Sequence, residues 1–174
     1  MKKRFLLLTL IMCLLGGVNS LSLKAQDDPN VVTIGEGKST SQNAPFRTYN
    51  NNSGSQAIYT STEINKAGTI THIAYKIKSV DGGAPYTRNI KVYLKETDKV
   101  CYVKDESYLV MASSDVKYEG NYSYTENDEW ITIELTGGGF IYSGDKNLVV
   151  SVEDNTNKYT IDNINEIINI INII

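Results

Sequence analysis

The sequence predicts an all-β protein, an antiparallel β-sandwich that is jelly-roll-like, on three observations. Apolar and polar residues alternate with period two in several short segments, turn chemistry separates those segments every 8 to 14 residues or so, and no amphipathic helical pattern interrupts the core region. The clearest alternation lies in residues 69–96. Ile73, Tyr75 and Ile77 share one face of its first half; Ile90, Val92 and Leu94 share one face of its second half, with Lys91, Tyr93 and Lys95 on the other. A loop rich in Gly, Pro and Asp joins the halves, so the two strands are expected to pair at the centre of one antiparallel sheet. Parallel α/β architectures are excluded, because their crossover helices are missing.

The remaining elements follow in order. VVTI, from Val31 to Ile34, is a short strand stopped by Gly35 and Gly37. Residues 38–55 are Ser, Thr, Asn and Gly with Pro45, Phe46 and Tyr49 among them, the composition of a long surface loop held down by aromatics. Residues 56–60 give a second strand, and 61–68 a single helical turn or a tight bend. Residues 97–107 read as a connection exposing Asp98, Lys99, Asp105 and Glu106. In 116–124, Val116, Tyr118, Tyr122 and Tyr124 share a side, and Gly120 falls among them as a candidate bulge. The segment 129–136 places Ile131, Ile133 and Leu135 inward; glycines 137–139 turn the chain into a short strand at 140–142. A second turn at 143–147 leads into LVVSVED, with Leu148, Val150 and Val152 inward. The total is about seven to nine strands, the pattern of a sandwich or jelly roll.

Both ends differ from this text. Lys2, Lys3 and Arg4 precede an apolar run from Phe5 to Leu15 and a more polar approach to Ala25, the layout of a secretory signal peptide cleaved after Ala25. The run falls short of the roughly 20 residues that span a bilayer, and no later segment reaches that length, so no membrane span is expected. Residues 26–159 then form the sandwich domain. Residues 160–174 are a low-complexity Ile/Asn tail, IDNINEIINIINII from Ile161, read as lying outside the module. The leader holds four of the 17 Lys and Arg residues and no acid, which leaves 13 basic against 20 acidic residues. That acidic balance argues against nucleic acid, whose phosphates require clustered cations. Cys13 leaves with the leader, so Cys101 has no intramolecular partner. Its neighbours Val100, Tyr102 and Val103 make a buried core cysteine the expectation.

The segments 32–46, 55–77, 87–99 and 130–156 together resemble a β-sandwich module of secreted multidomain surface and adhesin-type proteins of the Bacteroidetes. The resemblance covers most of 32–159 and rests on the Ile-Gly-x-Gly stretch at Ile34, the Ile58-Tyr59 pair, the Gly68-Thr69-Ile70 strand start and the turn before Asn147-Leu148. It implies a non-enzymatic module for adhesion, carbohydrate binding or spacing, at the cell surface or secreted, and supplies no ligand residues. It also implies one more strand after Tyr159, which the tail is not expected to supply.

No catalytic constellation accompanies these segments. His72 is the lone histidine, no Gly-x-Ser-x-Gly elbow occurs, and Glu129, Glu134, Glu153 and Asp154 are carboxylates with no pairing defined by sequence. The protein is therefore read as a non-enzyme with no cofactor beyond a structural calcium, for which Asp145, Glu153 and Asp154 are the candidate oxygen donors. Trp130 alternates out of phase with Ile131, Ile133 and Leu135, and Tyr93 with Val92 and Leu94, so both aromatics are expected outside the core as ligand-binding candidates for an extracellular glycan or protein. The competing reading is a structural spacer, in which loops cover both rings.

Overall fold

The computed structural model describes residues 28–35, 45, 47, 49–77, 86–125, 130–158 and 166–173. The leader read over 1–25 lies outside them. The strands are β1 (Val31–Ile34), β2 (Ser53–Tyr59), β3 (Gly68–Ile77), β4 (Tyr86–Thr97), β5 (Val116–Tyr124), β6 (Trp130–Glu134), β7 (Phe140–Tyr142), β8 (Asn147–Asp154) and β9 (Glu166–Ile173), with one helical turn, α1 (Ser61–Ile64), and a short 3-10 turn at Ser113–Asp115. They form two antiparallel sheets of order β1-β9-β3-β6 and β2-β8-β4-β5, with β7 extending β6 along the same edge of β3. With β7 counted, the sheets have five and four strands, and their interleaved order is jelly-roll-like. The all-β sandwich expected from the alternation is the fold.

The inner faces hold the residues that the alternation assigns to them. Ile73, Tyr75, Ile131 and Ile133 from the first sheet meet Ile90, Val92, Leu94, Leu148, Val150 and Val152 from the second in one buried cluster. Removing such a side chain costs about 2 to 5 kcal/mol, the transfer term plus the cavity left behind. One charged pair also lies in the interior. Arg88, on the inward side of β4, sits 3.4 Å from Asp154 at the end of β8, both almost wholly buried, and donates to the Lys158 carbonyl at 2.7 Å.

Three expectations are corrected. The first concerns β3 and β4, which are not neighbours in one sheet: β3 pairs with β6, β7 and β9, and β4 with β5 and β8. Each has a single apolar face, and the two faces bury each other across the sandwich instead of standing side by side. The second concerns the 160–174 segment. Its residues Glu166–Ile173 form β9, hydrogen-bonded to β1 on one side and β3 on the other, with Ile171 across from Val32 and from Ile73. Isoleucine favours strands, and a slot with ladder partners on both sides outweighs the turn-like asparagines. The third concerns Gly120, which pairs regularly with Ile90; the register shift between β4 and β5 falls at Val92/Tyr93.

The bend at 61–68 resolves as a helical turn with a full capping box. Glu63 N–H donates to Thr60 Oγ1 at 3.2 Å, and Thr60 N–H donates back to the Glu63 carboxylate at 2.7 Å. Asn65, in the left-handed region at φ 48°, ends the turn, and Ile64 anchors it in the core. Among the described residues no helix is long and apolar enough to cross a membrane.

Candidate functional site

The β4–β5 connection contains no strand alternation, makes a tight turn in which Glu106 N–H donates to the Val103 carbonyl at 3.2 Å, and does not simply loop into solvent. Residues 98–112 lie as a strap across the outer face of the β2-β8-β4-β5 sheet. Gln56, Ser151 and Tyr93 form one row of register across β2, β8 and β4 on that face. Gln56 pins the strap over the row. Its Nε2 donates to the Leu109 carbonyl at 2.8 Å, and its Oε1 accepts the Leu109 N–H at 2.9 Å and the Tyr102 hydroxyl. Asn147 Nδ2 holds the strap's start through the Lys99 carbonyl at 3.0 Å, and Lys95 Nζ reaches the Val110 carbonyl at 3.4 Å. Within the strap, the Lys99 ammonium pairs with Glu106 and sits 5.3 Å from the Tyr102 ring centroid. The bond from Lys99 holds the Glu106 carboxyl below its ordinary value, whereas burial raises the Tyr102 hydroxyl.

Tyr93 lies on this same outer face. As expected, the ring points away from the core side of β4, yet only 9% of it is exposed; its neighbours Val149 and Ser151 are buried on the same outer face. Tyr93 donates to Glu153 Oε2 at 2.9 Å. Burial, then that bond to a carboxylate, pushes its hydroxyl up to about 12. Tyr93 is thus not an open stacking platform. Its hydroxyl is held by Glu153, two residues beyond its register partner on the neighbouring strand β8, a contact that period-two reasoning does not see.

Trp130 begins β6 on the outer face of the other sheet, half-buried, opposite Lys76 of β3. The Lys76 ammonium lies 5.6 Å from the ring centroid, a cation–π contact that occupies part of the indole face. Because Trp130 and Tyr93 belong to the outer faces of opposite sheets, they do not form one site.

The three candidate calcium donors are also separated. Glu153 faces outward onto Tyr93, whereas Asp154 faces inward and is engaged by Arg88, by the Thr156 N–H at 3.0 Å and by the Thr156 hydroxyl. Asp145 is exposed in the turn before the other end of β8, where its N–H bonds Ser143 Oγ at 3.2 Å. The length of β8 from Asn147 to Glu153 lies between them, about 20 Å at strand rise. Among the described residues no group of three His, Cys, Asp or Glu side chains is placed to hold a metal ion.

Two features lie beyond what the sequence pattern announces. The strap turns apolar side chains outward: Val100, Val103, Tyr108 and Val110 are between 56% and 85% exposed, and Cys101, expected in the core, is exposed beside them. Of the six large apolar residues exposed among those described, these are four, the others being Tyr49 and Ile141. The signal is the cluster Val100 to Val103 itself, which reads as buried only if a sheet is there to receive it.

The second feature is an open groove of about 570 Å³ where the edges of the two sheets meet, lined by Thr71, Tyr118, Glu134, Leu135 and the turn 136–138. Leu135 N–H donates to the Thr71 carbonyl at 2.8 Å, and Thr136 donates to the Lys117 carbonyl through its N–H at 2.6 Å and its hydroxyl at 2.8 Å. Tyr122, on β5, accepts the Thr132 N–H at 2.9 Å. These bonds tie β6 and the following turn to β3 and β5, and the three glycines follow them. Beside the groove, His72 Nδ1 lies 3.0 Å from Thr71 Oγ1, and His72 faces Glu134 across the β3–β6 ladder.

Against this geometry, no protein family, no curated protein and no solved structure matches the chain.

Proposed function

We propose that the protein is an exported, non-catalytic recognition module of the cell surface or its surroundings, and that it engages a protein partner through the outward side of the 98–112 strap. The observation that carries this reading is the concentration of exposed apolar side chains on that one segment. An apolar patch rimmed by charge, here Lys104, Asp105 and Glu106, is the usual mark of a contact surface. Branched aliphatic side chains suit a protein better than a glycan, which calls for flat aromatic faces. Export rests on the leader-like first 25 residues and on the resemblance to surface modules.

The test uses the chain from residue 26 to 174 and a variant with Val100→Ser, Val103→Ser and Val110→Ser. Binding to a panel of immobilised extracellular glycoproteins is measured before and after enzymatic removal of their glycans. Saturable binding that survives deglycosylation and falls at least tenfold in the variant supports the proposal. Burial of Tyr93 favours the second reading, a structural spacer. Absence of saturable binding in a chain that melts cooperatively would replace the first reading with the second.

A further inference from the structure

We propose that the groove at the 136–139 turn is a saccharide-binding site, separate from the strap. The turn carries three consecutive glycines with φ of 66°, 80° and 93°, but packing demands only the last. A Cβ on Gly139 would collide with the Ile70 carbonyl oxygen, whereas one on Gly137 or Gly138 would meet nothing within 4 Å. At those two positions the bare backbone faces open space. Gly139 N–H returns to the Thr136 carbonyl at 3.2 Å, but no acceptor among the described residues takes the N–H of Gly137 or Gly138. Two residues lining the groove thus carry amide donors with no acceptor among the described residues.

Glu134, also lining it, supplies the complement. It is exposed, and no described residue bonds or pairs with its carboxylate, although His72 stands across the ladder. Leu135 is buried there as an apolar floor. Tyr118 gives a half-buried aromatic wall, its hydroxyl turned to the Asn121 carbonyl at 2.9 Å, and Thr71 adds a hydroxyl.

The combination selects a ligand class. A single carboxylate is too little for a cation site built on protein oxygens, and it opposes an anion. An ammonium group would meet the carboxylate but offer the two unbonded amides no acceptor. A ligand that both donates and accepts at adjacent atoms, and offers a C–H face to Tyr118 and Leu135, satisfies every wall, and a sugar ring does so with vicinal hydroxyls. The groove volume lies within the range of small-ligand sites.

The experiment titrates the 26–174 chain with the methyl glycosides of glucose, galactose, mannose and N-acetylglucosamine, up to about 100 mM because open sites bind weakly, and reads saturation-transfer and amide chemical-shift changes. Four variants run in parallel, each checked for a cooperative melt. Glu134→Gln keeps the side-chain volume and removes the charge. Gly137→Asn fills the mouth with a residue that tolerates the left-handed region. Trp130→Ala and the triple strap variant leave the groove intact. The expected result is saturable binding of at least one glycoside, shifts at 134–138, at least a tenfold loss in Glu134→Gln and Gly137→Asn, and no change in the other two. Absence of saturation with all four glycosides overturns the proposal, as does binding insensitive to Glu134 and Gly137 or abolished by Trp130→Ala. Since the strap variant keeps this site, failure of the protein-binding reading and failure of this one are distinguishable.

Discussion

The side chain of Gln56 is bonded to both backbone groups of Leu109, donating to the carbonyl at 2.8 Å and accepting the N–H at 2.9 Å. One amide thus does for the strap what a neighbouring strand does for a sheet residue. Truncating Gln56 removes these two part-buried bonds and the one from the Tyr102 hydroxyl, a loss of about 2 to 4 kcal/mol, less whatever water regains. Gln56→Ala should therefore lower the denaturation midpoint and speed amide exchange at Leu109. Exchange in β3 and β6, which lie in the other sheet, should be unchanged. Uniform acceleration in both sheets would show that the strap is not a separate opening unit.

Arg88 and Asp154 form the buried ion pair of the core, and the two partners are not equivalent under mutation. Asp154→Ala takes one carboxylate away from a guanidinium with 1% side-chain exposure, which keeps its bond to the Lys158 carbonyl. The expected cost is about 3 to 5 kcal/mol, that of breaking a buried pair by removing one side of it. Replacing both residues together with apolar side chains of similar volume, Arg88→Met with Asp154→Leu, should recover much of that loss. Urea denaturation of the two variants and the parent measures the difference, and equal destabilisation by both would refute the account.

Tyr93 makes an alkaline prediction with a definite sign. Its folded pKa of about 12 lies above the model-compound value of 10.0. The folded state therefore binds more protons between those values. The contribution is fully present below pH 10, declines as pH rises through about 12, and amounts to about 2 to 3 kcal/mol when fully titrated. Tyr93→Phe should flatten the drop in stability between pH 10 and 12, at a cost near 1 kcal/mol at neutral pH for the lost bond to Glu153. Burial also raises Tyr142 and Tyr102, so the slope should be reduced, not abolished. An unchanged slope in Tyr93→Phe would count against the assignment.

How far the chain was legible depends on which physical signal each residue carries. Ile90, Val92 and Leu94, or Leu148, Val150 and Val152, announce their face because one side of a strand meets the core, and all six are buried. The same rule placed Tyr93 and Trp130 on outer faces. It could not report that 98–112 folds back onto Gln56 of the outer face, because a covering segment leaves no period in the strand it covers. Nor does alternation say which strands are neighbours; β3 and β4 carry equally good patterns whether they pair or oppose each other. The groove was hidden for a related reason. Three glycines signal a turn, but the contact that singles out Gly139 is with Ile70, far away in sequence.

The composition of β9 gave the least warning of its place, and its removal should be correspondingly informative. Among the described strands, β1 pairs with β9 alone, and β9 joins it to β3. Deleting residues 160–174 would leave β1 without a ladder and open the edge of β3, a row of unpaired backbone groups that invites association with other chains. The shortened chain should lose cooperative melting or aggregate, in contrast to the chain ending at residue 174. A milder probe is Ile171→Pro, which places proline in a strand with neighbours on both sides, where it is rarely accommodated. Val32, across the ladder from Ile171, belongs to the edge strand β1, which has a neighbour on one side only. Val32→Pro is therefore the matched control and should be the less damaging of the two. Thermal melts followed by circular dichroism compare the truncated chain and both proline variants with the parent, and a cooperative transition at the parent's temperature in the truncated chain would remove β9 from the fold.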